Sequence, residues 1–198
     1  MGESKWAHPL FIIAKKDGLV LWVSNLQELN KVIKQKVYPL PFITYILHRC
    51  TGYKFFTKLD ISMQCYTFKL NEEIQESCAI ITPLGKYKFK RLPMGLKCAP
   101  EFAQQSMENI LQGIDDSEVY LDDIGCFSNE WRHHLKLLDR VLTALQANGF
   151  TINPRKCEWA VQETDWLGYL LTHKGLKPWR KKIDAILHMD NLETSSRW

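Results

Sequence analysis

Two adjacent aspartates interrupt an otherwise apolar run in E-V-Y-L-D-D-I-G-C-F-S, residues 118–128. Val119, Tyr120 and Leu121 before them and Ile124, Cys126 and Phe127 after them favour extended backbone, so the segment predicts two short strands joined at Asp122 and Asp123. Turn chemistry alone can place aspartates at a hairpin tip, because Asp tolerates left-handed backbone. A chemical role requires a further carboxylate to converge from elsewhere. Asp60, in T-K-L-D-I-S, ends an apolar strand where aspartate has poor propensity. The stretch between Asp60 and the tip leaves room for a hairpin, a helix and a return strand. Three such carboxylates suit hard divalent cations, and a pair of these about 3.5–4 Å apart can clamp the attacking and leaving oxygens of a phosphoryl transfer. Asp115 and Asp116, in G-I-D-D-S-E, sit among loop formers and read as a solvated loop.

The rest of the chain interleaves strands and helices without regular βαβ repeats. Strands are expected over 11–14 and 19–24 around the turn K-K-D-G, then a short helix over 26–33 that Y-P-L-P stops. A helix over 41–49, a strand over 53–61 and a hairpin of 78–81 with 87–92 follow. Pro100 starts a helix to about Leu111, since its missing N–H costs nothing in a first turn. Trp131 to Asn148 is the strongest helical pattern, with Trp131, Leu135, Leu138, Val141, Leu142 and Leu145 as its apolar stripe and Gly149 as its stop. Residues 151–159, 164–172 and 179–189 read as strand, hairpin and helix, and the last eight residues as unstructured.

A chain of 198 residues with 45% hydrophobic and 24% charged content can bury a core and is not of disordered composition. Its formal net charge of +4 is compatible with a polyanionic partner without requiring one. Six scattered cysteines without a C-x-x-C pair argue for reduced thiols over a disulfide framework or a zinc site. The neighbouring His133 and His134 point about 100° apart on a helix and make a poor zinc pair. No apolar run reaches membrane-spanning length and the N-terminus has no signal-peptide core, so an intracellular place, in a cytoplasmic particle or the nucleus, is expected rather than secretion.

L-D-I-S-M-Q-C-Y-T-F (59–68), R-L-P-M-G-L-K-C-A-P-E-F-A-Q (91–104), V-Y-L-D-D-I-G-C-F-S (119–128), G-F-T-I-N-P-R-K-C-E-W (149–159) and D-W-L-G-Y-L-L-T-H-K-G-L-K-P (165–178) resemble, in this order and spacing, the reverse transcriptase motifs of Ty3/gypsy-type retrotransposons. W-A-H-P-L-F-I-I-A-K-K-D-G (6–18) and L-N-K-V-I-K-Q-K-V-Y-P-L-P (29–41) resemble the fingers of that family. The resemblance implies an α+β right-hand polymerase, with a ferredoxin-like β-α-β-β-α-β palm sheet packed on helices. Fingers are then expected near 1–37 and 70–98, palm near 38–69 and 99–172, and the start of a truncated thumb at 173–198. It further implies RNA-directed DNA polymerase activity, in which two Mg²⁺ ions, or Mn²⁺, sit on Asp60, Asp122 and Asp123. The expected partners are an RNA or DNA template with its primer and deoxynucleoside triphosphates. No membrane contact is expected, and the remaining polyprotein domains (the rest of a thumb, ribonuclease H, protease, integrase) are not expected within these 198 residues. Lys15, Cys65, Gly95, Gln104 and Lys156 match nucleotide-contacting positions, and Tyr120, Trp166, Leu167 and Gly168 match primer or template positions.

Several positions depart from the family. Leu21, Asn25 and Gln27 stand where it usually carries Arg, Asp and Arg, and Leu21 cannot pair bidentately with phosphate as arginine does. Cys65 falls where an aromatic usually packs beneath the sugar, and on a regular strand Tyr66 points to the other face. These departures raise the alternative of a degenerate relic that at most binds nucleic acid. A two-metal nuclease accommodates the carboxylates but leaves L-P-M-G-L-K and K-K-D-G unexplained.

Overall fold

The structure is a computed structural model that describes residues 4–14, 18, 20–34 and 38–178. Its central sheet is built from β3 (Phe55–Ser62), β6 (Ser117–Tyr120), β7 (Asp123–Ser128) and β8 (Thr151–Ile152), in the order β6-β7-β3-β8. With α4 (Ala99–Ile110) between β3 and β6 and α5 (Trp131–Ala147) between β7 and β8, the unit is the expected β-α-β-β-α-β palm. A further strand, β9 (Glu158–Val161), pairs with β3 across a register shift between Phe56 and Lys58. The expected single strand over 151–159 is thus two, because Asn153 and Pro154 break it and the segment turns through an Asn153-anchored loop.

Strand alternation sorts the palm into two faces. Leu59 and Ile61 of β3, Val119 of β6 and Ile124 and Cys126 of β7 pack on Met107 of α4 and Leu137, Val141 and Leu145 of α5. The other face carries Phe56 and Phe127, which meet Ile46 and Leu47 of α2 (Ile43–Arg49) and Trp166 and Leu171. The last two belong to a separate antiparallel sheet of β10 (Glu163–Trp166), β11 (Tyr169–Thr172) and β12 (Gly175–Pro178). β12 is unexpected from sequence, since G-L-K-P has the composition of a loop.

A third sheet, β2-β1-β4-β5, is inserted between the first palm strand and α4 apart from its N-terminal hairpin. β1 (His8–Ala14) pairs antiparallel with β2 (Val20–Ser24) and parallel with β4 (Ala79–Thr82), which pairs with β5 (Gly85–Lys88). α1 (Gln27–Val32) and α3 (Glu72–Ser77) flank it, and the Asn71 side chain caps α3 by accepting from the Ile74 N–H at 2.9 Å. Leu26, Leu29, Cys78, Leu92 and Leu96 form its core.

The apolar stripe of α5 differs from expectation. His134, Leu137, Val141 and Leu145 are its buried residues, whereas Leu135 is 47% and Trp131 50% exposed. The imidazole is admitted to the core because both ring nitrogens are paired: Nε2 with the Thr57 hydroxyl at 2.8 Å and Nδ1 with the Ser128 hydroxyl at 2.9 Å. The expected helix over 179–189 lies outside the described residues. Among the described residues no helix is long and apolar enough to cross a membrane.

Candidate nucleotidyl-transfer site

The antiparallel register of β3 and β7 pairs Asp60 with Asp123, so two carboxylates distant in sequence emerge on one face at one end of the palm sheet. Directly opposed residues in such a ladder have Cβ atoms about 4.5–5.5 Å apart. Tyr120 pairs with Asp123 to close the β6–β7 hairpin, leaving Leu121 and Asp122 as its tip. Asp122 is exposed, while Asp60 and Asp123 are half-buried. The Ile61 N–H donates to the Asp122 carbonyl at 2.9 Å, which ties the tip to the end of β3.

Charge at this rim is unevenly compensated. Burial pushes the Asp123 carboxyl up from its ordinary 3.8, and the neighbouring Asp122 and then Asp60 push it further, against the pull of Lys58 and Lys156. Asp60 faces Lys156, whose Nζ lies 3.1 Å from Oδ2. Lys58 is turned aside to Glu158 at 2.5 Å and to the Asp165 carbonyl. Beneath the rim, the Asp60 N–H donates to the Cys157 sulfur at 3.4 Å. Among the described residues no three His, Cys, Asp or Glu side chains converge as a ready cation cage. The donor set is nonetheless of the right kind for a hard cation: acceptor-only carboxylates at one rim, one already facing an ammonium group.

Gln104 of α4 sits fully buried beneath the hairpin. Its Oε1 accepts from the Leu121 N–H at 2.6 Å, and its Nε2 donates to the Val119 carbonyl at 2.9 Å and to Glu108 at 2.7 Å. Its amide therefore holds the hairpin rather than facing a ligand groove. Gly95 adopts φ +98°, a conformation that requires glycine in the L-P-M-G loop. Asn30, unremarked in the sequence, fastens that loop from α1: its Nδ2 donates to the Gly95 carbonyl at 2.8 Å and its Oδ1 accepts from Lys97 N–H at 2.9 Å. Asn25 uses its side chain locally, accepting from the Gln27 N–H at 3.1 Å.

Cys65 does not lie on a regular strand. Met63 at φ +51° ends β3, and residues 64–67 form a 3₁₀ turn, so strand alternation does not set the directions of Cys65 and Tyr66. The Cys65 thiol is half-buried; burial first and then Asp122 push its pKa up. Trp166 is buried, and Leu167 and Gly168 make the β10–β11 turn with φ +49° and +81°. Tyr120 and Leu167 pack at the edge of the same cluster as Trp166. Lys15 and the side chain of Leu21 lie outside the described residues. Asp116, expected in a solvated loop, instead accepts from the Tyr53 hydroxyl at 3.1 Å and pairs with His133 at 3.0 Å.

Residues 13–171 match the family described as Reverse transcriptase (RNA-dependent DNA polymerase). The chain is 31% identical over 183 residues to the Transposon Tf2-3 polyprotein of Schizosaccharomyces pombe, an alignment covering 91% of this chain and 14% of that relative. The Tf2-7 polyprotein of the same organism is also 31% identical with the same coverage. The chain thus spans only a small part of the length of these curated relatives. Among solved structures, the fold is similar to a foamy viral protease-reverse transcriptase in complex with double-stranded DNA, with a TM-score of 0.89 and 22% identity over 96% of this chain and 33% of that one. A foamy viral protease-reverse transcriptase in complex with an RNA/DNA hybrid gives a TM-score of 0.85 at 22% identity, covering 94% of this chain and 25% of that one.

Proposed function

Because this chain belongs to the reverse transcriptase family, we propose that its carboxylate rim performs template-directed nucleotidyl transfer to a primer 3′-hydroxyl within a retrotransposon polyprotein. The pairing of Asp60 with Asp123 beside the Asp122 tip carries this reading, since it gathers carboxylates from separate motifs at one sheet end. Asp60 and Asp122 would hold two divalent cations, with Asp123 completing the set. When bound, Mg²⁺ or Mn²⁺ supplies positive charge to the 3′-oxygen and to the departing pyrophosphate.

The chain's own residues supply positioning. Asp123, whose carboxyl is pushed up by burial and then by Asp122 and Asp60, would be held in its charged form by cations bound at the rim. Lys156, beside Asp60, holds a proton at Nζ within the same rim and is assigned to the pyrophosphate oxygens. The Gly95 loop, fastened by Asn30, offers backbone without a β-carbon to the template–nucleotide pair. Tyr120 and the Trp166-Leu167-Gly168 turn are assigned to the primer end, and Lys15 and Cys65 to the incoming nucleotide. A template–primer duplex of RNA or DNA is the proposed partner. The foamy viral structures in complex with double-stranded DNA and with RNA/DNA hybrid support that class of ligand. Primer extension on an RNA template tests the reading: deoxynucleotide addition should require Mg²⁺ or Mn²⁺ and stop on chelation, and addition that persists in a chelator contradicts it.

A further inference from the structure

The tip of a two-residue hairpin ordinarily turns its backbone polar groups to water, yet here both the N–H and the C=O of Leu121 are held. Gln104 Oε1 accepts from the Leu121 N–H at 2.6 Å, and Gln64 Nε2 donates to the Leu121 carbonyl at 3.1 Å. Both amides are buried, at 0% and 6% exposure. They approach from different elements, α4 and the 3₁₀ turn after β3. Left-handed backbone at Met63 ends β3 immediately before Gln64 and begins the turn that carries its side chain to the hairpin. Leu121 itself has φ +56°, a conformation unfavourable for a bulky residue unless its surroundings impose it.

We propose that Gln64 is a positioning residue for the Asp122 carboxylate, acting through the Leu121 carbonyl in concert with Gln104. Asp122 follows the clamped residue directly, and its own carbonyl is fixed by the Ile61 N–H. With Leu121 N, Leu121 O and Asp122 O all bonded to groups outside the hairpin, little backbone freedom remains to the exposed aspartate. Gln64 is the part of this clamp whose removal need not disturb the helix core, because Gln104 also bonds Val119 and Glu108. This inference rests on the polymerase reading of the carboxylates.

The test is Gln64→Met, which keeps side-chain length and removes the donor, with Gln64→Asn as a shorter side chain that retains it. Gln64→Met leaves Gln104 on the Leu121 N–H but frees the Leu121 carbonyl. Hydrogen exchange at the Leu121 amide should therefore accelerate about tenfold through easier opening of the whole tip, the scale of one lost hydrogen bond. Exchange at Leu59 and Cys126, in the sheet interior, should stay at the parent rate. In primer extension, kcat should fall about tenfold with KM for the deoxynucleotide unchanged, and Gln64→Asn should recover part of the loss. Unchanged exchange at Leu121 overturns the clamp. Faster exchange with parental kcat, or a loss confined to KM, overturns the positioning role. A parent chain that extends no primer counts against the polymerase reading, whereas the exchange measurement still decides the clamp.

Discussion

Trp166 lies across Gly125 so closely that a β-carbon added at Gly125 would fall 2.7 Å from the ring's Cη2 atom. The contact joins β7, directly behind the Asp122–Asp123 tip, to the last residue of β10 before the Leu167–Gly168 turn. Glycine is used here for close approach and not for backbone freedom, since the ring supplies the three nearest atoms and Gly125 is not among the positive-φ glycines. Gly125→Ala should therefore push the ring and the β10–β11 turn away from the palm. The expected cost is about 1–3 kcal/mol, read as a lower urea midpoint. A variant as stable as the parent would show that the ring shifts freely and that the turn is not keyed to β7.

The buried His134 gives the fold an acid sensitivity. Burial first, and His133 second, lower its pKa from the ordinary 6.5. The imidazole is held neutral between Thr57 and Ser128. The unfolded chain then binds a proton that the folded chain resists, so stability is present above about 6.5 and is lost as pH falls through the lower folded value. Melting midpoints measured against pH should decline on the acid side of 6.5. The decline should be shallower in His134→Gln, although that variant starts lower because it disturbs buried partners.

Asp123 behaves in the opposite sense. Its folded pKa is raised above 3.8, so its charged form weakens the fold as pH rises from that value through the folded one. Asp123→Asn should raise the melting midpoint at neutral pH without added metal. The difference from the parent should shrink as pH falls towards 3.8. A variant less stable than the parent at neutral pH would mean that the carboxylate is better compensated than its neighbours Asp122 and Asp60 allow.

Nucleotide handling should respond to two positions that depart from the family pattern. Leu21→Arg restores a bidentate phosphate donor and should lower KM for the deoxynucleotide by about one to two orders of magnitude, the value of one charge-assisted hydrogen bond. Cys65, close enough to Asp122 to feel its charge, should when changed to Tyr increase the preference for deoxyribo- over ribonucleotides. Single-nucleotide incorporation on one RNA template measures both. An unchanged KM, or an unchanged sugar preference, removes the corresponding residue from the nucleotide's surroundings.

Much of the order of elements is legible from local chemistry, though neither α3 nor β12 is, and the misreadings have identifiable causes. The β6–β7 hairpin follows from strand formers flanking Asp122 and Asp123, and the start of α4 from Pro100. The limits of α5 are also legible, but its inner face is not. Hydropathy favours Leu135 over His134, and only the fold brings Thr57 across to pair the imidazole. Left-handed backbone at Met63 and Leu121 has no glycine to announce it, which hides both the turn at Cys65 and the clamp on the tip. Gln64 reads as an ordinary polar residue and Gln104 as a nucleotide contact until their amides are seen to meet the C=O and the N–H of one residue, Leu121. Asp116 reads as a loop residue because its partners, Tyr53 and His133, come from distant segments.

The central claim is that the rim of Asp60, Asp122 and Asp123 carries metal-dependent nucleotidyl transfer. Its most direct test is Mg²⁺-dependent primer extension by the parent and by Asp122→Asn, compared at matched melting midpoints. Asp122 is exposed and its backbone is held by other groups, so the substitution should leave the fold unchanged. The account predicts extension by the parent and a loss of about three orders of magnitude or more in kcat for the variant, the scale of several kcal/mol of charge stabilisation. A folded Asp122→Asn that extends primers at the parental rate would contradict it.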